Sequence, residues 1–159
     1  MRIGQGFDVH RLTQGRALVL GSIEIPHARG LAGHSDADVL AHAVADALLG
    51  ALGAGDLGIY CPSSDPRWAG ASGAQLLEPI LERVGQGGYE IVNVDTTVIA
   101  QEPRLAPFQA EMRRGLAGML RVAEERVNVK LSSTDRLGAI GRGEGIAAQA
   151  AVLLAERAA

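Results

Sequence analysis

The sequence predicts one α/β or α+β domain. Short apolar segments alternate along the chain with amphipathic segments at helical spacing, which is typical of such domains. No internal repeat or low-complexity linker divides the chain, and its 159 residues suit a single domain over 1–159. Because aromatic residues make up only 3%, the core must be built from Ala, Val, Leu and Ile.

The composition excludes several classes of protein. A hydrophobic share of 47% and a charged share of 21% indicate a folded globular chain rather than a disordered one. The formal net charge of -3 argues against a nucleic-acid partner, which would normally select a basic surface. Cys61 is the single cysteine, so an intrachain disulfide is impossible. The N-terminus has no apolar leader and no segment approaches the ~20 apolar residues of a spanning helix, so we expect a cytoplasmic protein without membrane contact.

The first half of the chain predicts a strand, an antiparallel pair, a glycine-rich loop and a helix, over 1–10, 16–25, 27–35 and about 35–52. The pair is expected to turn at Gly21 and Ser22, which form a tight-turn sequence. The helix begins near Ser35 or Asp36, where acidic residues in the first turn suit the helix dipole. Apolar residues recur along this helix at helical spacing, so one face is expected to be buried.

The second half predicts a long loop, a helix, a strand, a second helix and a strand, over 53–72, 74–84, 89–101, 106–122 and 127–133. Ser72 is a suitable N-cap for the first of these helices. The segment 142–157 is ambiguous. Its alanine-rich composition favours a helix by propensity, but a short buried strand from Gly145 onward also fits.

One set of side chains suits a metal ion. Asp8 and His10 are separated by one residue in the first predicted strand, so they point to the same face. With His42 from the first predicted helix, they would form a three-ligand site with an open fourth position, as catalytic zinc requires. Asp38 and Asp46 lie four residues before and after His42, and we expect one of them to hold its second ring nitrogen. Solvated polar groups at a strand end and on a helix face are the ordinary alternative.

Two segments suit phosphate groups. His34 and Ser35 lie at a loop-to-helix junction, where backbone amides favour an anion, although this position also suits simple N-capping. Three hydroxyls and a carboxylate run over 132–135, directly after a predicted strand. Such a run suits phosphate and magnesium, but it is also the composition of a polar turn.

Two loops could contribute further contacts. Arg142 lies among the glycines of 141–145 and could bind a phosphate or form a surface pair with Glu144. The loop over 53–72, which contains Asp56, Gly58 and Asp65, is long enough to be a binding loop or lid. The alternative for this loop is a surface excursion without a function.

At these residues the chain resembles the 2-C-methyl-D-erythritol 2,4-cyclodiphosphate synthase family of the non-mevalonate isoprenoid pathway. The matching stretches read MRIGQGFDVHRL, GHSDADVLAHAVADALLGALGAGDLG, NVDTTVIAQEPRLAPF, NVKLSSTD and LGAIGRGEGIAAQAAVLL. They run from the first residue almost to the last, and their combination is far more specific than a short motif.

The resemblance implies a fold and an activity. The fold is α+β, a single domain with a mixed β-sheet and helices packed on one side, in which 145–154 is a strand against its propensity. The family forms homotrimers with active sites between neighbouring subunits. The implied enzyme is a phosphorus–oxygen lyase. It converts 4-diphosphocytidyl-2-C-methyl-D-erythritol 2-phosphate into the 2,4-cyclodiphosphate and CMP by attack of the 2-phosphate on the β-phosphorus.

The resemblance also implies roles for particular residues. Asp8, His10 and His42 would hold zinc, and Asp135 would hold magnesium or manganese with the substrate diphosphate. His34 and Ser133 would stabilise the transition state. The remaining substrate contacts would be Ser35 for phosphate, Asp56 and Gly58 for the methylerythritol part, Asp65 in the same loop, Ala100, Pro103, Arg104, Leu105, Ala106, Leu131, Ser132 and Ser133 for the cytidine diphosphate, and Arg142 near the trimer axis.

The chain departs from the family pattern at a few of these positions. Asp135 stands where the family usually has glutamate, so its carboxylate is one methylene shorter. Ser132 and Ser133 stand where threonines are usual, which keeps both hydroxyls. The stretch CPSSD replaces a common FPDTD, so Cys61 and Ser63 differ while Asp65 stays. Ala139 replaces a common aromatic residue and would widen the apolar cavity that the family has at the trimer axis.

Two other functions would use the same ligands. A zinc phosphohydrolase would activate a water on another phosphate ester and give linear products. A trimeric binding module would use the metal only for structure, but structural zinc prefers four protein ligands and only three are evident.

Overall fold

The computed structural model describes residues 1–157. Its strands are β1 (Arg2–Gln14), β2 (Leu18–Leu20), β3 (Ile23–Ile25), β4 (Arg29–Leu31), β5 (Tyr89–Ile99), β6 (Val127–Ser132) and β7 (Gly145–Glu156). Its helices are α1 (Val39–Leu52), α2 (Leu57–Tyr60), α3 (Gly73–Gln86), α4 (Gln109–Leu120) and α5 (Gly138–Gly141). Single 3-10 turns cover Pro66–Trp68, Ala106–Phe108 and Glu124–Arg126. Among residues 1–157, each helix is too short or too polar to cross a membrane.

Five strands form one mixed sheet in the order β4-β1-β7-β5-β6. All neighbours are antiparallel except β5 and β6, which run parallel. The hairpin of β2 and β3 forms a separate two-stranded sheet. Helices α1, α3 and α4 pack on the same side of the large sheet, so the mixed sheet covered on one side is confirmed.

The C-terminal segment is a strand, as the resemblance implies, and the helix favoured by its alanine content is wrong. β7 lies between β1 and β5, so both of its edges are hydrogen-bonded. Alternate side chains are buried against the helical layer, and these are Ile146, Ala148, Ala150, Val152 and Leu154. Sheet pairing on both edges and burial on one face override the intrinsic preference of alanine for helix.

Two glycines of β1 let helix α1 lie directly on the strand. A Cβ atom at Gly4 would stand 1.9 Å from the carbonyl oxygen of Ala47, and one at Gly6 would stand 1.9 Å from that of Ala43. Real side chains do not tolerate such distances to backbone atoms, so these positions accept only glycine without movement of α1. Asp8 and His10 follow on the same face of β1. The glycines therefore set how close α1 comes to the strand that carries them.

Helix α1 begins later than expected because Asp38 is its N-cap. The Asp38 carboxylate accepts hydrogen bonds from the amides of Ala41 at 3.1 Å, Gly21 at 3.0 Å and Ser22 at 2.8 Å. It is fully buried, and it fastens the predicted turn between β2 and β3 to the start of the helix. Residues 35–38 are therefore loop, and the helix starts at Val39.

The other differences from expectation are local. β1 runs to Gln14 rather than residue 10, and the predicted loop 27–35 contains the short strand β4. The loop 53–72 contains α2 and a 3-10 turn. The first turn of the helix expected over 106–122 is 3-10, and its α-helical part is shorter. The Ser72 cap is confirmed, and Gln75 completes a capping box.

Candidate metal centre and phosphate loops

Asp8, His10 and His42 come together where β1 meets α1. The Asp8 Oδ2 atom lies 2.8 Å from His10 Nε2 and 3.0 Å from His42 Nδ1, and the two nitrogens are 3.1 Å apart. A tetrahedral ion with bonds of about 2.0–2.1 Å keeps its ligand atoms about 3.3 Å apart. The three atoms therefore form one triangular face of a tetrahedral site, which fits a divalent metal.

Hydrogen bonds on the far side of each ring orient both histidines for metal binding. His10 Nδ1–H donates to the carbonyl oxygen of Ala32 at 2.6 Å, which leaves the Nε2 lone pair facing Asp8. His42 Nε2 lies 3.2 Å from Ser35 Oγ, which also accepts from the Ala37 amide. The Ser35 hydroxyl oxygen can accept a hydrogen bond from His42 Nε2–H, which leaves His42 Nδ1 free to bind a metal. Two lone pairs and a carboxylate at about 3 Å from one another repel unless a cation lies between them.

The electrostatics of the centre keep its carboxylate charged. With no ion bound, a proton on each facing ring nitrogen takes the place of the cation. Burial alone would raise the pKa of the Asp8 carboxyl, but hydrogen bonds from His10 and His42 then outweigh it and hold that pKa well below its usual range. Burial opposes the charged form of His10, yet the bond to Asp8 raises the pKa of this ring. The side chains of His10 and Asp8 remain 19% and 28% exposed, so an outside ligand could reach a fourth position.

The expected contact of His42 with Asp38 or Asp46 is wrong. Asp38 caps α1 and binds the turn at Gly21 and Ser22, as described above. Asp46 accepts from the amide of Leu57 at 2.7 Å and so fastens α2 to α1. Spacing of four residues places both carboxylates on the same side of the helix as His42. Their oxygen atoms instead accept hydrogen bonds from the β2–β3 turn and from the start of α2. The group that does hold His42 is the Ser35 hydroxyl.

His34 and Ser35 lie beside Asp8, His10 and His42, on the loop between β4 and α1. His34 is exposed, and its Nε2 is 3.3 Å from the carbonyl oxygen of Asp65. The His34 carbonyl accepts from the Gly70 amide at 2.8 Å. The loop around Asp65 therefore packs against the predicted phosphate loop. The Asp65 carboxylate itself binds Arg67 at 2.6 and 2.8 Å, and this ion pair lowers its pKa.

Asp56 and Gly58 lie at the start of α2 and are exposed. The Asp56 carboxylate accepts from the Ile59 amide at 3.2 Å and caps this short helix. The bond from Asp46 to Leu57 fixes the helix beside α1. Both predicted contact residues thus have a defined position at the edge of α1 rather than on an irregular excursion.

The residues expected to bind cytidine diphosphate line a single cavity of about 300 Å³ at the ends of β5 and β6. All eight of them contribute to its wall: Ala100, Pro103, Arg104, Leu105, Ala106, Leu131, Ser132 and Ser133. Gln101 and Val98 complete the lining. The cavity lies where parallel strands end, a common location for ligand sites.

Ser133 and Asp135 form a turn at the rim of this cavity. The Ser133 hydroxyl accepts from the Asp135 amide at 3.3 Å and lies 3.4 Å from its Oδ1. Asp135 and Arg136 both have left-handed backbones, with φ of 49° and 65°. The Arg136 amide donates to the Gln101 side chain at 2.9 Å, which ties the turn to the cavity wall.

Within residues 1–157, no hydrogen bond or ion pair joins Asp8, His10 or His42 to residues 131–135. Arg142 is exposed and pairs with Glu144 at 2.5 Å, and this pair lowers the pKa of Glu144. The single chain thus presents two separate groups of predicted site residues, and over the described part of the chain the Arg142 side chain bonds to neither of them.

Comparisons with known proteins agree with this arrangement. The model of the YgbB family matches residues 1–155. A 2-C-methyl-D-erythritol 2,4-cyclodiphosphate synthase of Geobacillus kaustophilus is 57% identical over 153 residues, which cover 96% of this chain and 97% of that protein.

Solved structures give the same result. A 2C-methyl-D-erythritol-2,4-cyclodiphosphate synthase in a CDP-bound form has a TM-score of 0.89 and 34% identity, covering 97% of this chain and all of that one. The bifunctional IspDF of Campylobacter jejuni has a TM-score of 0.93 and 41% identity, covering 98% of this chain but 42% of that longer one. The chain belongs to the YgbB family, the family of the 2-C-methyl-D-erythritol 2,4-cyclodiphosphate synthases.

Proposed function

We propose that this protein converts 4-diphosphocytidyl-2-C-methyl-D-erythritol 2-phosphate into 2-C-methyl-D-erythritol 2,4-cyclodiphosphate and CMP. The observation that carries the proposal is the convergence of Asp8, His10 and His42 within 3.1 Å on a partly open surface. The name of the 57% identical relative gives the product. The reaction would belong to non-mevalonate isoprenoid biosynthesis. The cytoplasmic location expected from the sequence stays a prediction, which fractionation of the source cells would test.

We assign zinc to Asp8, His10 and His42, and magnesium or manganese to Asp135. Two imidazole nitrogens and one carboxylate oxygen are a typical catalytic zinc set, whereas a lone exposed carboxylate beside phosphate oxygens suits a hard cation. When bound, the two ions would supply positive charge to the substrate phosphates.

The protein's own residues position the substrate. The nucleophile is the 2-phosphate of the substrate, which is already an anion, so no protein base is required. One of its oxygens bonds to the β-phosphorus, the bond from that phosphorus to the bridging oxygen breaks, and CMP leaves. His34 and the Ser133 hydroxyl donate hydrogen bonds to phosphate oxygens whose charge changes in this step. Ser35 orients His42, and Cys61 has no role.

The cavity at the ends of β5 and β6 would hold the cytidine diphosphate. A relative that binds CDP shares this fold with a TM-score of 0.89. Apolar wall residues such as Leu105 suit a base, while Arg104 and the hydroxyls of Ser132 and Ser133 suit phosphates. Asp56 and Gly58 would contact the methylerythritol part from the other group of residues, and Asp65 would add a substrate contact from the same loop.

We propose a homotrimer with the active sites between subunits. The face of β1 that points away from the helices exposes Ile3, Phe7 and Val9, at 76%, 52% and 53%. Exposed apolar residues in one row are typical of an interface. The cavity and Asp135 of one subunit would then face Asp8, His10 and His42 of its neighbour. Within residues 1–157 of one chain, no hydrogen bond or ion pair joins these two groups. Light scattering should give three times the chain mass of 16.5 kDa. In this trimer, Arg142 would lie near the threefold axis.

Removal and return of zinc test the proposed function. The protein stripped with a chelator should keep its helix content and oligomeric state and release no CMP from the cytidyl substrate. Addition of zinc, with magnesium present, should restore stoichiometric CMP release. If the stripped protein unfolds, the metal is structural, as in a binding module. If the zinc-loaded trimer releases no CMP, the proposed function is wrong.

Replacing Asp135 separates the two metal sites. We expect Asp135→Ala to lower kcat/KM by about 10–100-fold and to raise the magnesium concentration needed for activity, because the carboxylate contacts the second cation. Zinc content should be unchanged, since Asp135 makes no contact with the zinc ligands. Asp135→Glu restores the carboxylate and serves as the control. Equal loss of zinc in Asp135→Ala would show that the two sites are one.

A further inference from the structure

Arg16 holds two carbonyl groups of the loop that carries His34 and Ser35. It follows the turn at Gly15 after β1 and is half-buried. Its Nη1 donates to the carbonyl oxygen of Gly33 at 2.7 Å, and its Nη2 donates to that of Ser35 at 2.5 Å. The two nitrogens belong to one planar group, so a single side chain sets the distance and orientation of both carbonyls.

The rest of this loop is held by other partners. The carbonyl of Ala32 accepts from His10 at 2.6 Å, and that of His34 accepts from the Gly70 amide at 2.8 Å. All four consecutive carbonyls of 32–35 are therefore bonded, and Arg16 takes two of them. Loss of the guanidinium would release two of these four carbonyls. The loop would keep its bonds to His10 and Gly70, the bond between Ser35 Oγ and His42, and the amide bonds at its two ends.

The direction of the Gly33 carbonyl determines where the next amide points. In a trans peptide the carbonyl and the following N–H point in opposite directions. Because Arg16 draws the Gly33 carbonyl toward itself, the His34 N–H points to the opposite side. Among the described residues, no acceptor binds this amide. The free amide of His34, together with the imidazole of the same residue, is suited to bind a phosphate oxygen.

The same loop also packs on a metal ligand. A Cβ atom at Gly33 would lie 3.2 Å from Cε1 of His10 and 2.9 Å from the Ala37 Cβ. The loop therefore has little space between the His10 ring and the start of α1, and a small shift at Gly33 would move His34 relative to the ligands. Arg16 bonds none of the three ligand atoms, so its hydrogen bonds act on the loop, while its positive charge disfavours protonation of His10.

We propose that Arg16 is a positioning residue for the reaction, which sets the 33–35 loop so that His34 and Ser35 meet the substrate phosphate next to the metal ligands. The inference rests on the proposed function, since it assumes that a phosphate binds there. It predicts that Arg16 affects phosphate binding and kcat without affecting the metal content or the cytidine cavity.

The test compares Arg16→Ala with Arg126→Ala. Arg126 is the matched control, because its Nη1 also donates to a backbone carbonyl, that of Ile91 at 2.6 Å, far from the loop. We expect Arg16→Ala to lower kcat by about 10–100-fold, as a displacement of about 1 Å at a reacting group does. Zinc content, CDP affinity and melting temperature should stay close to those of Arg126→Ala. Arg16→Lys, which can bond only one carbonyl well, should lie between wild type and Arg16→Ala.

A second readout does not depend on turnover. The absorption spectrum of the cobalt-substituted protein, titrated with inorganic phosphate, reports anion binding at the metal. We expect Arg16→Ala to keep the spectrum without phosphate and to weaken phosphate binding at least about 10-fold. This measurement separates the proposed function from the proposed role of Arg16. If the wild-type protein releases no CMP, the proposed function is wrong, and the phosphate titration still tests whether Arg16 positions the loop.

Two results would overturn the inference. One is an Arg16→Ala protein with wild-type kcat and wild-type phosphate affinity. The other is a variant whose metal content or stability falls in parallel with its activity, which would mean that Arg16 is only structural. If Arg16→Ala does not fold, Arg16→Gln decides the question by the same readouts, since its amide can still donate to one carbonyl.

Discussion

Replacement of His42 with alanine should remove metal binding and catalysis while the protein still folds. The substitution deletes one of three ligand atoms and leaves Asp8 and His10 as an incomplete pair. Loss of a group that merely orients a ligand costs about 10–100-fold in metal affinity, so loss of the ligand itself should cost more. Activity with the cytidyl substrate should fall by at least about 100-fold for the same reason. Alanine has the highest helix propensity, so α1 should persist.

Metal analysis, circular dichroism and turnover of the same preparation check this result. His27→Ala is the control, because His27 is a half-buried histidine on the connection between β3 and β4 and is not a ligand in the site. The control should keep its metal and its activity. A zinc-loaded and active His42→Ala protein would contradict the assignment of the centre.

A methyl group at Gly6 should destabilise the whole domain. Its Cβ would stand 1.9 Å from the carbonyl oxygen of Ala43 and 2.7 Å from the amide nitrogen of Ala47. Both atoms are backbone of α1, so no side-chain rotation relieves the clash and the helix must move off β1. We expect the free energy of unfolding to fall by about 3 kcal/mol or more, the upper end for overpacked cores. Because α1 carries His42, the surviving folded protein should also bind zinc less tightly.

Gly50→Ala is the matched control for Gly6→Ala. Gly50 lies in α1 and also faces β1, but the nearest atom to its Cβ would be the Gln5 carbonyl oxygen at 3.6 Å, an ordinary contact. Alanine there should be neutral or should stabilise the helix by up to about 1 kcal/mol. Melting curves at one chain concentration should separate the two variants by about 6–12 °C. Equal melting temperatures would refute the close packing of α1 on β1.

The sequence predicted that Asp8, His10 and His42 form one cluster, and part of that geometry is local. Asp8 and His10 share a strand face, and the resemblance paired them with His42. The contact that joins the two elements was not predicted, although Gly4 and Gly6 are its visible signal. Alternate glycines in a strand indicate a close backbone approach only once the element that covers them is known.

The wrong predictions concern side chains that form hydrogen bonds with segments distant in the sequence. Spacing placed Asp38 and Asp46 beside His42, but the turn at Gly21 and the amide of Leu57 hold these carboxylates instead. The hydrogen bond from Arg16 to the Gly33 carbonyl was not predicted for the same reason, since no local sequence pattern shows that the two groups meet. Helix propensity failed for β7, where pairing on both edges decided the structure.

Phosphorus NMR of the reaction products tests the central claim most directly. The zinc-loaded protein is incubated with 4-diphosphocytidyl-2-C-methyl-D-erythritol 2-phosphate and magnesium, and the spectrum is followed to completion. We predict the 2,4-cyclodiphosphate together with one equivalent of CMP, because the 2-phosphate of the substrate is the nucleophile. A linear phosphate product would contradict this account and would identify the centre as that of a zinc phosphohydrolase acting through water.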